Sequence, residues 1–437
     1  MNKIDNKQRI KILYCESNID GTVGGSYYSL FYLVEGLNKN RYDPIVVFYK
    51  DNSLIQTFRK AGIKTEIFDH PLPVRLSVPG IQNVRILKIF LGLVQSTINF
   101  TRFFVLKTIK YAIYLKRNNI DIVHLNNSIV RSHNWMFAAR LAGAKCISHE
   151  RLLNKRFSYF ERYFINRLDA IVCISNAVRK NLELQNIRSV TLHTILNGLD
   201  PSCVKVGLSK EEIKSKYKIE ASVPLIGIVG NIKEWKGQEI VVKATAEVKK
   251  RFPYIKCLIV GDTAETDSYY LERIRKVIDK LGIQENIIFT GYQTNVPDYV
   301  NAMDIVIHAS TAGEPFGRVL LEAMALQKPL IGARGGAVPE IVAEPVTGLM
   351  FEPGDHLNLA RTVQRMLEDP KKCSAMGRAG YLRLINKFSI IKNIEQTQQL
   401  YEAILANRDD VLVYKQFLSA YQMKKGSSRN PAGQKHP

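Results

Sequence analysis

The sequence is short of acid. Only 40 Asp and Glu stand against 62 Lys and Arg in 437 residues, a formal net charge of +22. This excludes an acidic solvating protein and calls for an anionic partner: nucleic acid, an anionic membrane surface or a phosphorylated substrate. Cysteine is sparse. Cys15, Cys146, Cys173, Cys203, Cys257 and Cys373 are scattered and form no C-x-x-C pair, so zinc-ribbon and dithiol redox classes are not indicated. Thiols in apolar runs such as Ile171-Val172-Cys173-Ile174 read as buried and reduced, in a cytosolic setting. No G-x-G-x-x-G occurs in either Gly-rich turn, which disfavours an NAD-dependent dehydrogenase. Residues 1–10 are polar and charged, and no signal peptide is visible. No run of about 18 uncharged apolar residues is found, so a spanning helix is not expected. The last stretch, 424–437, carries Lys424, Lys425, Arg429 and Lys435 with no acid and reads as a basic, disordered tail.

What is present is a regular alternation of short apolar runs with longer amphipathic ones. In the first half the expected strands are Ile10–Cys15, Pro44–Tyr49, Lys64–Phe68, Asp121–Leu125, Ala144–Ser148 and Ala170–Ser175. After a charged helix or linker at Leu208–Ile219 the pattern restarts. Strands are expected at Leu225–Gly230, Lys256–Val260, Asn286–Thr290, Asp304–His308, Pro329–Gly332 and Gly348–Phe351. Doubly buried runs of this kind belong to parallel sheets. The expected architecture is α/β, with two Rossmann-like, doubly wound parallel-sheet domains facing a central cleft. The divisions are a first domain over 1–205, a linker over 206–222 and a second domain over 223–385. A C-terminal helix over 386–410 packs back on the first domain, and a tail follows over 411–437.

Two turns are rich in glycine. The first strand runs into Gly21-Thr22-Val23-Gly24-Gly25-Ser26 ahead of a helix. The second domain opens on Gly230-Asn231-Ile232-Lys233-Glu234-Trp235-Lys236-Gly237. Adjacent glycines let backbone approach a ligand, and a helix N-terminus offers free N–H groups to an anion. The most informative stretch is His308 to Ala325. Pro315 predicts a helix starting near Glu314, with the amides of Phe316 and Gly317 unpaired. Glu314 would then sit at the helix mouth, and Glu322 about two turns in, inside a run that looks buried and asks for hydroxyl partners.

The segment E-P-F-G-R-V-L-L-E-A-M-A resembles the E-x7-E motif of retaining GT-B glycosyltransferases of family 4, the group 1 transferases. The resemblance extends to Gly24-Gly25, Lys236-Gly237, Gly335 to Val342 and Thr347-Gly348-Leu349, in the family's order, over most of 9–405. It implies a nucleotide diphosphate sugar as donor substrate, with no cofactor and no metal; no D-x-D of metal-dependent sugar-nucleotide enzymes is found. Carried over by position, Glu322 would bond the ribose, Glu314 the donor sugar and Lys236 the diphosphate. The amides of Phe316, Gly317, Arg318, Gly24 and Gly25 would complete the pocket, with Gly291 and Tyr292 near the base. Asn231 stands where the family usually has Arg, which removes one cation from the diphosphate; Lys233 or Arg318 would have to compensate. The resemblance also implies a front-face, configuration-retaining displacement, and a histidine near the sugar. His149 is preferred for that place, then His124, with His133 third. Glu150 and Arg151 share the same strand end.

From 70 to 120 the chain has no acid, yet Arg75, Arg85, Lys88, Arg102, Lys107, Lys110, Lys116 and Arg117 are present. Phe90, Phe100, Phe103, Phe104, Tyr111 and Tyr114 are interleaved among them. Basic-aromatic helices within 81–118 are expected to lie on an anionic membrane and receive a lipid-linked acceptor, with Arg151, Lys155, Arg156, Arg162 and Arg167 extending the surface. The expected function is glycosyl transfer to a glycan or lipid-linked acceptor in cell-surface polysaccharide or glycolipid assembly, in the cytoplasm on the inner face of the membrane. Two rivals are weighed: a GT-B sugar-nucleotide 2-epimerase, and a nucleic-acid-binding protein. The second lacks any recognisable module, and no nucleic-acid partner is expected.

Overall fold

The computed structural model describes residues 9–406, apart from 17, 19–23, 69–73, 75–84, 128, 131, 155, 188–189, 264–267 and the side chains of 85–88. Arg75, Arg85, Lys88, Lys155, most of the first Gly-rich turn, the first eight residues and the tail over 411–437 therefore lie outside the described residues or side chains.

Two parallel sheets carry the fold. The first comprises β1 (Ile10–Glu16), β2 (Tyr42–Phe48), β3 (Lys64–Ile67), β4 (Ile122–Asn127), β5 (Lys145–Glu150), β6 (Ala170–Cys173) and β7 (Leu192–Thr194), in the order β3-β2-β1-β4-β5-β6-β7. The second comprises β8 (Leu225–Val229), β9 (Lys256–Val260), β10 (Ile287–Gly291), β11 (Ile305–His308), β12 (Leu330–Ala333) and β13 (Gly348–Phe351), in the order β10-β9-β8-β11-β12-β13. Helices cover both faces, so central strands such as β1 and β6 are almost wholly buried, which is why they read as continuous apolar runs. The expected strands are found, two with the expected bounds and the others with ends moved by one or two residues. β7 was not expected: three residues with His193 in the middle make no apolar run.

In each sheet the strand order reverses at one place, between β1 and β4 and between β8 and β11. Loops leaving the carboxyl ends there diverge and leave a crevice. The stretch 206–222 is docked on the second domain, against the helix Val296–Ala302. Asp298 accepts the amides of Gly207 and Leu208 at 2.6 and 3.0 Å, and Lys214, in the helix Lys210–Lys216, donates to the carbonyls of Ala221 and Val223.

The last helix, Ile390–Leu405, leaves the second sheet and packs on the first. Tyr401 is fully buried, its hydroxyl 2.7 Å from that of Tyr14 on β1. Glu402 takes a two-point contact from Arg41 at 2.8 and 2.7 Å. The return is held where Leu199 pairs with Ser389 and its amide donates to Phe388. A Cβ on Gly198 would lie 2.5 Å from the backbone of Ile390. Gly198→Ala is therefore expected to cost about 1–3 kcal/mol, as overpacking against backbone does. Gly92→Ala, in a helix with open space around it, gains roughly 0.5–1 kcal/mol instead. Urea unfolding of both variants checks this; an unchanged midpoint for Gly198→Ala would show that the return is loosely held.

Candidate active site

The second sheet places its polar groups at the β8–β11 reversal. After β8 the chain makes one short turn, Glu234–Lys236, and Gly237 takes a left-handed φ of +75°. A Cβ on Gly237 would lie 2.1 Å from the carbonyl of Ala309; the glycine lets the two loops meet. Lys236 is thereby brought to Glu314, its Nζ 2.8 Å from Oε2. The same oxygen accepts from Ser310 Oγ at 3.0 Å and lies 3.1 Å from His308 Nε2. Glu314 is only 8% exposed. Burial pushes its carboxyl up, but the His308 hydrogen bond and the Lys236 charge outweigh it and hold the group at about 2. All three contacts fall on Oε2. Among the described residues nothing donates to Oε1.

The helix does not start near Glu314 as the proline suggests. It runs Arg318–Ala325, capped by Gly317 at φ +90°. Pro315 lies in the loop, where a left-handed glycine, not a proline, sets the start. The amides of Phe316, Gly317 and Arg318 have no acceptor among the described residues. The expected free donors are thus present, one turn later than read, and the Phe316 ring is buried against Phe388. Glu322 is half-buried rather than enclosed, and its partner is Arg318, Nε to Oε1 at 2.9 Å. Arg318 also stacks over Tyr28 and Tyr32 of the helix Gly25–Glu35, at 5.0 and 5.4 Å. A Cβ on Gly25 would lie 3.7 Å from Arg318 Cδ. Gly25 therefore faces the helix mouth across the cleft, while among the described residues nothing lies within 4 Å of the Cβ position of Gly24. Asn231 is exposed, and its carbonyl accepts from Gln238. Gly291 ends β10, the edge strand, and Tyr292 follows it, 74% exposed.

The first sheet answers with its own cluster at the β1–β4 reversal. Glu16 is fully buried and accepts from Asn126 Nδ2, and from Asn127 Nδ2 at 3.2 Å. Burial pushes it up to about 7 despite these bonds and the Arg151 charge. Glu150 is likewise raised to about 7 by burial, against bonds from the Ile129 and Leu152 amides. Arg151, lowered by burial to about 10, donates Nε to Asn126 Oδ1 at 2.9 Å and a terminal nitrogen to Asn197 Oδ1 at 2.8 Å.

The two preferred histidines form one file. Tyr401 Oη lies 2.6 Å from His124 Nδ1, and His124 Nε2 lies 3.3 Å from His149 Nδ1. An Arg151 terminal nitrogen is 3.5 Å from the same His149 Nδ1. Arg151 can only donate, so His149 Nδ1 accepts and its Nε2 carries the proton. That Nε2 is buried and has no partner among the described residues. Burial, then the Arg151 charge, lowers His124 to about 3 and His149 well below its ordinary value, so both rings are neutral. Both nitrogens of the buried His124 are occupied, so it orients His149 from behind and does not itself meet a ligand. His133 is set against Phe160 and Phe164, not in the cleft.

The cleft walls touch. Ser175 Oγ donates to the Pro315 carbonyl at 2.7 Å. Glu340 reaches across to the start of the helix Asn176–Leu184, accepting the amides of Asn176 and Ala177 at 2.9 and 2.7 Å. His308, Ser310, Glu16, Asn126 and Tyr401 were not picked out from sequence. The first four stand at strand ends beside quoted motifs, which is the available signal; Tyr401 has none, since its partners lie almost a whole chain away.

Two family models match the chain. Glycosyl transferases group 1 matches residues 209–383 and Glycosyltransferase Family 4 matches 23–202. The N-acetyl-alpha-D-glucosaminyl L-malate synthase of Bacillus anthracis is 26% identical over 314 residues, 69% of this chain and 79% of that one. A lipopolysaccharide core biosynthesis mannosyltransferase of Rhizobium meliloti is 23% identical, covering 57% and 70%. Among solved structures, Anabaena HepE in complex with UDP and glucose superposes with a TM-score of 0.75 at 22% identity, over 90% of this chain and 100% of that one. Sucrose-phosphate synthase from Thermosynechococcus elongatus gives 0.69 at 19%, over 91% and 100%. These structural likenesses give the fold, GT-B.

Glu314 supplies a pH test. Its folded value is depressed below the ordinary 4.5. Its contribution is therefore fully present above about 4.5 and is lost as pH falls toward 2. The stability gap between the wild type and Glu314→Gln, measured by urea unfolding, should be widest at neutral pH and shrink below about pH 4.5. A gap independent of pH would mean that the carboxylate is not held charged by Lys236 and His308.

Proposed function

The chain belongs to the group 1, family 4 glycosyltransferases of GT-B fold, and on that footing we propose that it is a retaining, metal-independent transferase. It moves a sugar from a nucleotide diphosphate sugar to a glycan or lipid-linked acceptor in cell-surface polysaccharide or glycolipid assembly. The observation that carries this is Glu314. A carboxylate buried at a topological switch point, charged, and with Oε1 still open is fitted to accept hydroxyls from a donor sugar. The unpaired amides of Phe316, Gly317 and Arg318 and the Lys236 ammonium take the diphosphate charge as the anomeric C–O bond breaks. The acceptor hydroxyl attacks the same face, and its proton passes to the departing phosphate oxygen. His149 Nε2–H supplies a donor on the opposite wall. Glu322, released from Arg318, takes the ribose, and Arg318 replaces the cation missing at Asn231.

The helical stretch Arg85–Arg117 carries the membrane part of the proposal. Ile89–Arg117 is the one described helical span long and apolar enough to cross a membrane, a candidate that the run-length reading of the sequence passed over. Ile89, Phe90, Leu93, Phe100 and Leu106 are all more than half exposed. Its second part is built into the protein: Tyr111 and Leu115 are buried, Tyr111 stacks on Trp135 at 4.0 Å, and Asn134 bonds the Phe103 carbonyl. Ile89 to Arg102 is then roughly 21 Å long at ~1.5 Å per residue, short of the ~30 Å hydrocarbon core. The helix lies in the interface, with Arg102, Lys110, Lys116 and Arg117 toward anionic headgroups. Exposed aliphatic side chains among these bases favour a lipid surface over nucleic acid.

A thermal-shift panel of nucleotide diphosphate sugars identifies the donor, because a ligand of the native state must raise its melting temperature. Lys236→Ala and Glu322→Ala each remove a charge-assisted contact of roughly 1.5–3 kcal/mol. Donor affinity or turnover should fall about 10–100-fold with the fold intact by circular dichroism. Normal turnover in both variants sinks the site assignment.

A further inference from the structure

A second cationic cavity lies on the first domain, away from the cleft. It measures about 700 Å³ and is lined by Arg140, Tyr159, Arg162, Tyr163, Asn166, Arg167 and Asn186, with no acidic side chain. No carboxylate pairs with the three arginines among the described residues. Arg167 is fixed in place, stacked 3.3 Å over the Tyr163 ring and bonded to the Tyr163 carbonyl at 2.7 Å. Asn166 Oδ1 is buried and has no partner among the described residues. Three guanidinium groups call for a phosphate, and an unfilled amide oxygen calls for a hydroxyl donor.

The cavity is joined to the interfacial helix by a file of rings. Phe100 stacks on Phe104 at 5.2 Å, Phe104 meets Phe137 edge to face at 5.2 Å, and Phe137 is tilted against Phe164 at 4.7 Å. Phe164 then touches Phe160 and Tyr163 at 4.6 and 5.3 Å. Tyr159 and Phe160 are 83% and 56% exposed. The file passes through the buried Phe164 and comes to the surface at Phe100 on the helix and at Tyr159, Phe160 and Tyr163 on the cavity rim. The geometry points to a site for the headgroup of a hydroxyl-bearing anionic phospholipid, of the phosphatidylglycerol type. Its phosphate sits on Arg140, Arg162 and Arg167, its hydroxyls meet Asn166, and its acyl chains lie against the exposed Tyr159 and Phe160 at the rim. This rests on the interfacial reading of the 85–117 helix.

The test is sedimentation of the full chain with vesicles of phosphatidylcholine alone, and with about 30 mol % of either phosphatidylglycerol or phosphatidylserine, matched in charge. The wild type should bind the phosphatidylglycerol vesicles about 5-fold or more tighter than the phosphatidylserine ones. Arg162→Gln/Arg167→Gln should abolish that preference but keep charge-dependent binding. Lys110→Gln/Lys116→Gln, an equal charge loss on the helix, should weaken both and keep the preference. Equal binding of the two anionic lipids by the wild type overturns the headgroup site and leaves the membrane reading standing. No binding to any vesicle overturns both. Thermal shift with soluble glycerol phosphate separates the remaining source: a shift lost in Arg162→Gln, with no lipid preference, would assign the cavity to a free phosphate ester and also overturn the proposal.

Discussion

The arrangement depends on one buried negative charge. A carboxylate at the place of Glu314 cannot remain ionised without donors, and assembling them dictates the backbone around it. Lys236 comes from the loop after β8, and His308 and Ser310 from the end of β11. The loop after β12 closes the site, with the Ala337 amide on the Glu314 carbonyl at 2.8 Å. Gly336 sits so close that a Cβ there would lie 2.2 Å from that carbonyl, and it adopts φ +55°. Gly237 and Gly336 are thus the points where backbone must touch backbone for the charge to be satisfied. Propensity alone gives no reason for either.

The opposite wall is organised by a cation. Arg151 is held by Asn126 and Asn197, lies close to Glu16, and fixes the proton on His149. One wall is therefore a charged acid held by donors, and the other a charged base held by acceptors. Their meeting point is Arg318, which feels Arg151 on one side and is neutralised by Glu322 on the other. Glu340 holds the walls together by capping a helix of the first domain, where a carboxylate is favoured by the N-terminal dipole.

Much of this was legible in sequence, for identifiable reasons. Strands buried on both faces write themselves as apolar runs, so twelve of the thirteen were located; three-residue β7 could not make such a run. The family resemblance, carried over by position, assigns Glu314, Lys236, Gly25 and Arg318 to one pocket, and the structure brings Lys236 to Glu314 and Arg318 to Gly25. Two kinds of feature escaped. A left-handed cap at Gly317 overrode the local proline signal and moved a helix start to Arg318. Long-range closures, such as Tyr401 on His124 and Glu340 on Asn176, leave no periodic trace, because each depends on how distant segments dock.

The return of the last helix bears on how the protein is made. At synthesis rates of about 5–20 residues per second, the ribosome completes β7 some 10–40 s before it reaches Tyr401, roughly 200 residues later. Throughout that interval Tyr14 Oη and His124 Nδ1, buried in the finished molecule, stand without their partner, a state that native interiors do not tolerate. The first domain therefore matures last in one respect. Its polar core is sealed only by residues near the end of the nascent chain, and an interrupted translation product lacking 390–405 carries an open first sheet. The order in which the domains emerge is not the order in which they are finished.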